Sequence, residues 1–206
     1  MNRDESWAVI ADQRRAVADL LAELTDPEWD TPSLCADWRV RDVAAHLALA
    51  PQPPGLLTMT TEAIRAGGRF HRLNHDLAVR HANRPSADLV AELRRHADSR
   101  RLPAVTNYRN ILFDVLVHAQ DIAVPLERPL VMPLRAAAAG ATRVWTMGWP
   151  FWARRRLPAV RLVATDTDWS VGDGAEVCGP ISALLLLLTG RRARCPELSG
   201  PGTARL

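Results

Sequence analysis

Apolar positions keep a helical period through the first two thirds of the chain. Trp7, Ile10, Val17, Leu20, Leu21 and Leu24 recur at helical intervals, and Asp26-Pro27 is expected to close that element. Val40, Val43, Ala44 and Leu47 give the i, i+3, i+4, i+7 stripe of a second helix, ended by Pro51-Gln52-Pro53-Pro54-Gly55. The pattern predicts a third helix over about residues 56–81, weakened by Gly67-Gly68, and a fourth from Ser86 as N-cap to about Ser99. A strongly apolar fifth helix follows from about Asn107 to Val124, stopped by Pro125, and another stretch covers about 133–147.

Trp149-Pro150-Phe151-Trp152-Ala153-Arg154-Arg155-Arg156 is both aromatic and basic. It is read as a linker that packs its tryptophans between domains, with a membrane-surface segment as the alternative. From Leu157 the pattern changes. Val160 to Thr165 alternates like a strand, and Trp169 to Val177 reads as a hairpin around a type I′ turn at Asp173-Gly174. Pro180 suits the first turn of a last helix and Gly190 its C-terminal stop. The expected organisation is a helical bundle over 1–130, a helix and linker over 131–156, and a small α/β domain over 157–206.

Composition narrows the chemistry. With 206 residues, 48% apolar and 24% charged, the chain has an ordinary globular balance. All 26 basic side chains are arginine, so a lysine Schiff base, a P-loop lysine and a lysine general base are excluded. A net charge of +3, dispersed along the chain, gives no footprint for nucleic acid. No apolar run approaches the roughly 18 residues of a membrane span, and the polar start is not a secretory signal. Cys35, Cys178 and Cys195 form no paired framework and match no zinc spacing. The expectation is a soluble cytoplasmic protein with no nucleic-acid or membrane partner, its oligomeric state open.

The fifth helix carries the most chemistry. At about 100° per residue, Asp114, His118 and Asp121 fall within about 60° of one another, and Asn110 joins them. Ile111, Val115, Ala119 and Ile122 flank this stripe on one side, Phe113 and Val117 on the other. Arg109, Gln120 and Glu127 mark the expected solvent face, about 140° away. Burying such a polar stripe is costly unless its groups pair or bind a metal. Either a buried Asp–His hydrogen-bonded pair or a metal site answers the pattern. His46, beside Val43 and Leu47 on the second helix, is the natural third member of a two-imidazole, one-carboxylate open site. His71 and His75 also have i, i+4 spacing, but they point about 160° from the face of Phe70, Leu73 and Leu77 and are expected to be solvated.

Leu34-Cys35-Ala36-Asp37-Trp38-Arg39-Val40-Arg41-Asp42-Val43-Ala44-Ala45-His46-Leu47, with Asp114-Val115-Leu116-Val117-His118-Ala119-Gln120-Asp121-Ile122-Ala123, resembles the mycothiol-dependent maleylpyruvate isomerase family. The segment from Val171 to Arg192, ending in five leucines, Thr-Gly-Arg, looks like the close of that family's smaller domain. The resemblance implies a mainly α protein: a DinB-like up-down helical bundle followed by a small α/β C-terminal domain. It also implies a divalent metal, typically zinc, whose ligands fall on His46, Asp114 and His118. Asp114 departs from the glutamate usual there and is one methylene shorter. Asp121 would orient an imidazole behind the metal or cap the backbone.

The cysteines are not on the metal-bearing stripe, so the chain offers no nucleophile of its own. The resemblance implies an exogenous thiol, mycothiol, in that role. Held at a metal with open positions, it would serve as nucleophile for isomerisation of maleylpyruvate-like unsaturated acids or for S-transfer to another small electrophile. Arg191 is a candidate for the thiol cofactor or a substrate carboxylate, its alternative use being a contact with the helix C-terminus. A non-catalytic metal-binding protein with a regulatory or sensing role is the competing function.

Overall fold

The computed structural model describes residues 1–52, 70–102 and 106–206. Nine helices stand among these residues: α1 (Arg3–Ala22), α2 (Asp26–Trp29), α3 (Val40–Leu49), α4 (Phe70–His81), α5 (Ser86–Arg95), α6 (Tyr108–Ala123), α7 (Leu134–Thr146), α8 (Ala153–Arg156) and α9 (Ile181–Leu188). Three strands, β1 (Val160–Ala164), β2 (Ser170–Gly172) and β3 (Ala175–Gly179), form one sheet near the C-terminus. The protein is therefore mainly α with a small sheet, as its hydrophobic periods predict. None of the described helices is long and apolar enough to cross a membrane.

Most helices fall where the periodicity puts them, and their ends have local causes. Asp26-Pro27 does more than stop α1. Thr25 and Glu28 form a reciprocal cap around Pro27, and that starts the short helix α2. The carboxylate of Asp42 accepts from the backbone N–H of Arg39 at 2.9 Å and from its Nε at 3.0 Å, fixing the start of α3. Ser86 is the first residue of α5 and Pro85 its N-cap, and the helix ends at Arg95, short of Ser99. The third helix expected from residue 56 is present from Phe70 to His81; residues 53–69, including Gly67-Gly68, lie outside the described residues.

The residues group into two compact units. One comprises 10–107 and 118–130, the other 1–9, 108–117 and 131–206; α1 and α6 are continuous helices that contribute to both. Within the first, α3 packs on α4 and α5 through buried Val43, Ala44, Leu47 and Ala48. The buried guanidinium of Arg14 on α1 donates to the Ser99 carbonyl at 2.8 Å and to that of Ala97 at 3.1 Å, tying α1 to the end of α5.

In the second unit, α9 packs on α7 with Leu184 to Leu188 all buried. The Asp166 carboxylate accepts from the Ile181 N–H at 2.9 Å and caps α9 from 15 residues upstream. The expected hairpin is not formed. β1 lies between the other two strands, antiparallel to β2 and parallel to β3, so Asp173-Gly174 crosses the end of β1 rather than turning back on itself. Gly174, at φ 126°, runs so close to Ala159 that a Cβ there would overlap its carbonyl. Turn chemistry alone does not separate a tight hairpin from a tight crossing. Trp149 and Trp152 are 53% and 41% exposed, so neither is the packed linker residue the sequence reading expects.

Candidate metal centre

The loop before α3 is a small built platform. Pro32 bridges to Arg39, the Ser33 N–H donates to the Trp38 carbonyl at 2.9 Å, and the Val40 N–H donates to the Thr31 carbonyl at 2.9 Å. Asp37 closes the loop with φ 65°, a left-handed conformation that Asp tolerates better than most residues. The Leu34 N–H donates to the Asp121 carbonyl at 3.2 Å, fastening the loop to α6. This arrangement buries the Trp38 ring, which stacks on His118 at 5.8 Å between centroids and 20° between planes. The same ring lies 5.3 Å from the His46 ring, and the two imidazoles meet edge-on at 4.7 Å.

On α6 the apolar flanks are buried all round the helix. Gln120, taken from the sequence as marking a solvent face, is itself buried and donates its amide to the Leu130 carbonyl at 2.9 Å. Asn110, Asp114 and His118 are instead only partly buried. Of the stripe that sequence reasoning expects inside, only Asp121 is fully buried. One donor atom each of His46, Asp114 and His118 lies within 4.8 Å of the other two. The shorter aspartate therefore reaches both imidazoles. Two donors on a tetrahedral zinc stand about 3.3–3.8 Å apart, so small side-chain adjustments would suffice to bring this set to bonding distance.

Asp121 has no exposed side-chain surface and meets the Nδ1 of His118 at 2.9 Å. This contact engages Nδ1, so Nε2 is the ring nitrogen on the opposite side from Asp121 that would be offered to a ligand. The donor chemistry fits a divalent ion: two imidazoles, one carboxylate, and a second carboxylate behind.

Sequence reasoning missed two residues. Cys35, set aside because it is not on the stripe, has its sulfur within 4.8 Å of donor atoms of His118 and Asp121. Trp38 covers the imidazoles. The signal available was the Cys-Ala-Asp-Trp turn directly ahead of the His46 helix, since a loop so short must lie against whatever that helix faces. His75, expected to be solvated, is half-buried at 39% side-chain exposure, with its ring 6.4 Å from Trp38; the His71 side chain lies outside the described residues. Arg191 donates from Nη1 to the Thr189 carbonyl at 2.9 Å, the helix-end contact that was its alternative use.

Residues 10–107, which include Trp38 and His46, match the family model for the mycothiol maleylpyruvate isomerase N-terminal domain. The fold is similar to the crystal structure of the mycothiol-dependent maleylpyruvate isomerase, with a TM-score of 0.62 and 14% identity over 98% of this chain and 93% of that one. A histidine-to-alanine mutant of that isomerase matches with the same TM-score and coverage at 13% identity. No curated protein matches the sequence. Residues 10–107 are thus a mycothiol maleylpyruvate isomerase N-terminal domain, and the chain as a whole shares the fold of the mycothiol-dependent maleylpyruvate isomerase.

Proposed function

We propose that the protein is a metal-dependent enzyme that uses mycothiol as its nucleophile on a small unsaturated acid or other electrophile, with cis–trans isomerisation of a maleylpyruvate-like compound as the leading reaction. The observation that carries this reading is the convergence of His46, Asp114 and His118 within 4.8 Å. The N-terminal domain match and the likeness of fold support the choice of mycothiol and of this substrate class.

His46 and His118 would hold a divalent ion, zinc by preference, through ring nitrogens, and Asp114 through a carboxylate oxygen. A bound dication with open positions lowers the pKa of a thiol there and keeps it as thiolate at neutral pH. Asp121, hydrogen-bonded at Nδ1, would hold the His118 ring in the orientation that ligation through Nε2 needs. Trp38 packs over both imidazoles, limiting their rotation and keeping bulk water from that side. Arg191 supplies a positive charge for an acidic group of the thiol or substrate, with one hydrogen bond already committed to Thr189.

The test is elemental analysis of the purified full chain and of His46→Ala, Asp114→Ala and His118→Ala, followed by assay of maleylpyruvate isomerisation with and without mycothiol. About one zinc per chain, lost in each variant together with mycothiol-dependent turnover, is the expected result. Folded protein that neither contains zinc nor can be loaded with it would sink this reading. Stoichiometric zinc without thiol-dependent turnover would favour the regulatory one.

A further inference from the structure

Cys35, His118 and Asp121 form a second donor set, distinct in composition from His46, Asp114 and His118 and sharing only His118 with it. Each of the three is fixed by something other than a metal. The Cys35 N–H donates to Ser33 Oγ at 3.1 Å, and the loop carrying it is hydrogen-bonded to the Asp121 backbone. The Asp121 side chain is fully buried, and the His118 ring is clamped between that carboxylate and the Trp38 face. A thiol, an imidazole and a buried carboxylate within 4.8 Å of one another are the ligand types that soft and borderline d10 cations select, the thiolate above all.

We infer that Cys35, His118 and Asp121 constitute a site for thiophilic metal ions, of the class of Cd2+ or Cu+, which overlaps the first donor set at His118. An ion held there would take the place of the hydrogen bond between His118 and Asp121, so His118 would no longer be oriented for His46 and Asp114. Occupancy of the sulfur site therefore weakens binding at the other, and Cys35 is the point at which soft metals inhibit the protein. The overlap with the proposed centre is in residues only; the sulfur site does not require that centre to hold zinc.

The experiment titrates Cd2+ into the metal-free full chain and follows sulfur-to-cadmium charge-transfer absorption in the near ultraviolet. The wild type should show a saturable band from one sulfur. Cys35→Ser should lose it while binding zinc within about twofold of wild type, and His118→Ala should lower cadmium affinity by about tenfold or more. His46→Ala, Cys178→Ser and Cys195→Ser should all keep the band. Absence of the band in wild type, or its persistence in Cys35→Ser, overturns the inference. Loss in His46→Ala also overturns it, because Cys35 would then belong to the first donor set. Cadmium-113 resonance on the wild type answers without any substitution: a shift in the single-sulfur range is expected, and one in the nitrogen-and-oxygen range overturns the site. Zinc loading of the same samples keeps the two ideas apart, since sulfur-bound cadmium without zinc retains this site and sinks the proposed enzyme.

Discussion

His118 meets Asp121 at 2.9 Å, and His81 meets Glu92 at 2.8 Å. The side chains are 12% and 0% exposed in the first pair and 17% and 11% in the second, so burial does not tell them apart. Their surroundings do. Glu92 also accepts from Arg84 at 2.8 Å and from the Gln52 amide at 2.9 Å, which offsets its charge and fills its oxygens. That network joins α4 and α5 to Gln52, just beyond α3, a structural clamp. The His118 pair instead meets further donors, with His46 and Asp114 in one set and Cys35 in another. An imidazole–carboxylate hydrogen bond is thus not itself a site. What marks one here is the presence of further ligand atoms within reach of the pair.

The hardest test of this contrast compares zinc affinity, by chelator competition, in His118→Ala, His46→Ala and His81→Ala. The first two should lose binding altogether, while His81→Ala stays within about twofold of wild type because it removes no ligand. Equal losses in all three would mean that the substitutions act through the fold, and the distinction would fail. Trp38 gives the next largest effect, since it packs on the His118 pair and is 8% exposed. Trp38→Ala should cost about 3–5 kcal/mol in urea unfolding, as for other buried large-to-small changes, and loosen both imidazoles. Trp38→Phe keeps an aromatic face over His118 and should recover most of the zinc affinity.

The carboxylates sharpen the same comparison at smaller scale. Asp121→Asn should lower zinc affinity about 10–100-fold, because the amide no longer fixes the His118 tautomer as an ionised acceptor does. Glu92→Gln should leave zinc binding alone and cost about 1–3 kcal/mol of stability, by leaving Arg84 without its charged acceptor. If the two substitutions exchanged these signatures, the roles assigned to the pairs would be reversed.

How far the sequence showed this depends on the range of the interaction. The polar stripe of α6 is visible because Asp114, His118 and Asp121 repeat at helical intervals between apolar neighbours on one continuous helix. His46 needed a tertiary guess, made easier because its own helix has a clear buried face. Cys35 and Trp38 were missed as neighbours of the imidazoles because a loop has no period; their positions depend on the Leu34–Asp121 hydrogen bond and the left-handed Asp37, which no local pattern reports. The crossing at Asp173-Gly174 was read as a hairpin for a related reason. Glycine-rich turn chemistry states that the chain bends sharply, while which strand lies alongside is decided by packing. Gln120 shows the converse failure: a polar residue on a central helix was taken for solvent-facing when its amide serves the Leu130 carbonyl.

The smallest expected effect concerns a carboxylate that belongs to neither pair. Glu28 accepts from the Thr25 N–H and hydroxyl, both at 2.8 Å, and from Arg128 at 3.1 Å. These donors, the Thr25 backbone first, lower its pKa from an ordinary 4.5 to about 2. A carboxyl whose folded pKa lies below its unfolded value adds stability that is complete above about 4.5 and is lost as pH falls through about 2. Wild-type stability should therefore fall more steeply than that of Glu28→Gln across this window, in denaturant titrations repeated at each pH. The effect is kept small by solvent around the pair, and added salt should trim the Arg128 part of it. Because Glu28 reaches no imidazole, zinc affinity at neutral pH should be untouched. A zinc defect in Glu28→Gln would show that the cap on α2 positions the Trp38 loop, and would extend the centre outward from α6 into the segment that precedes α3.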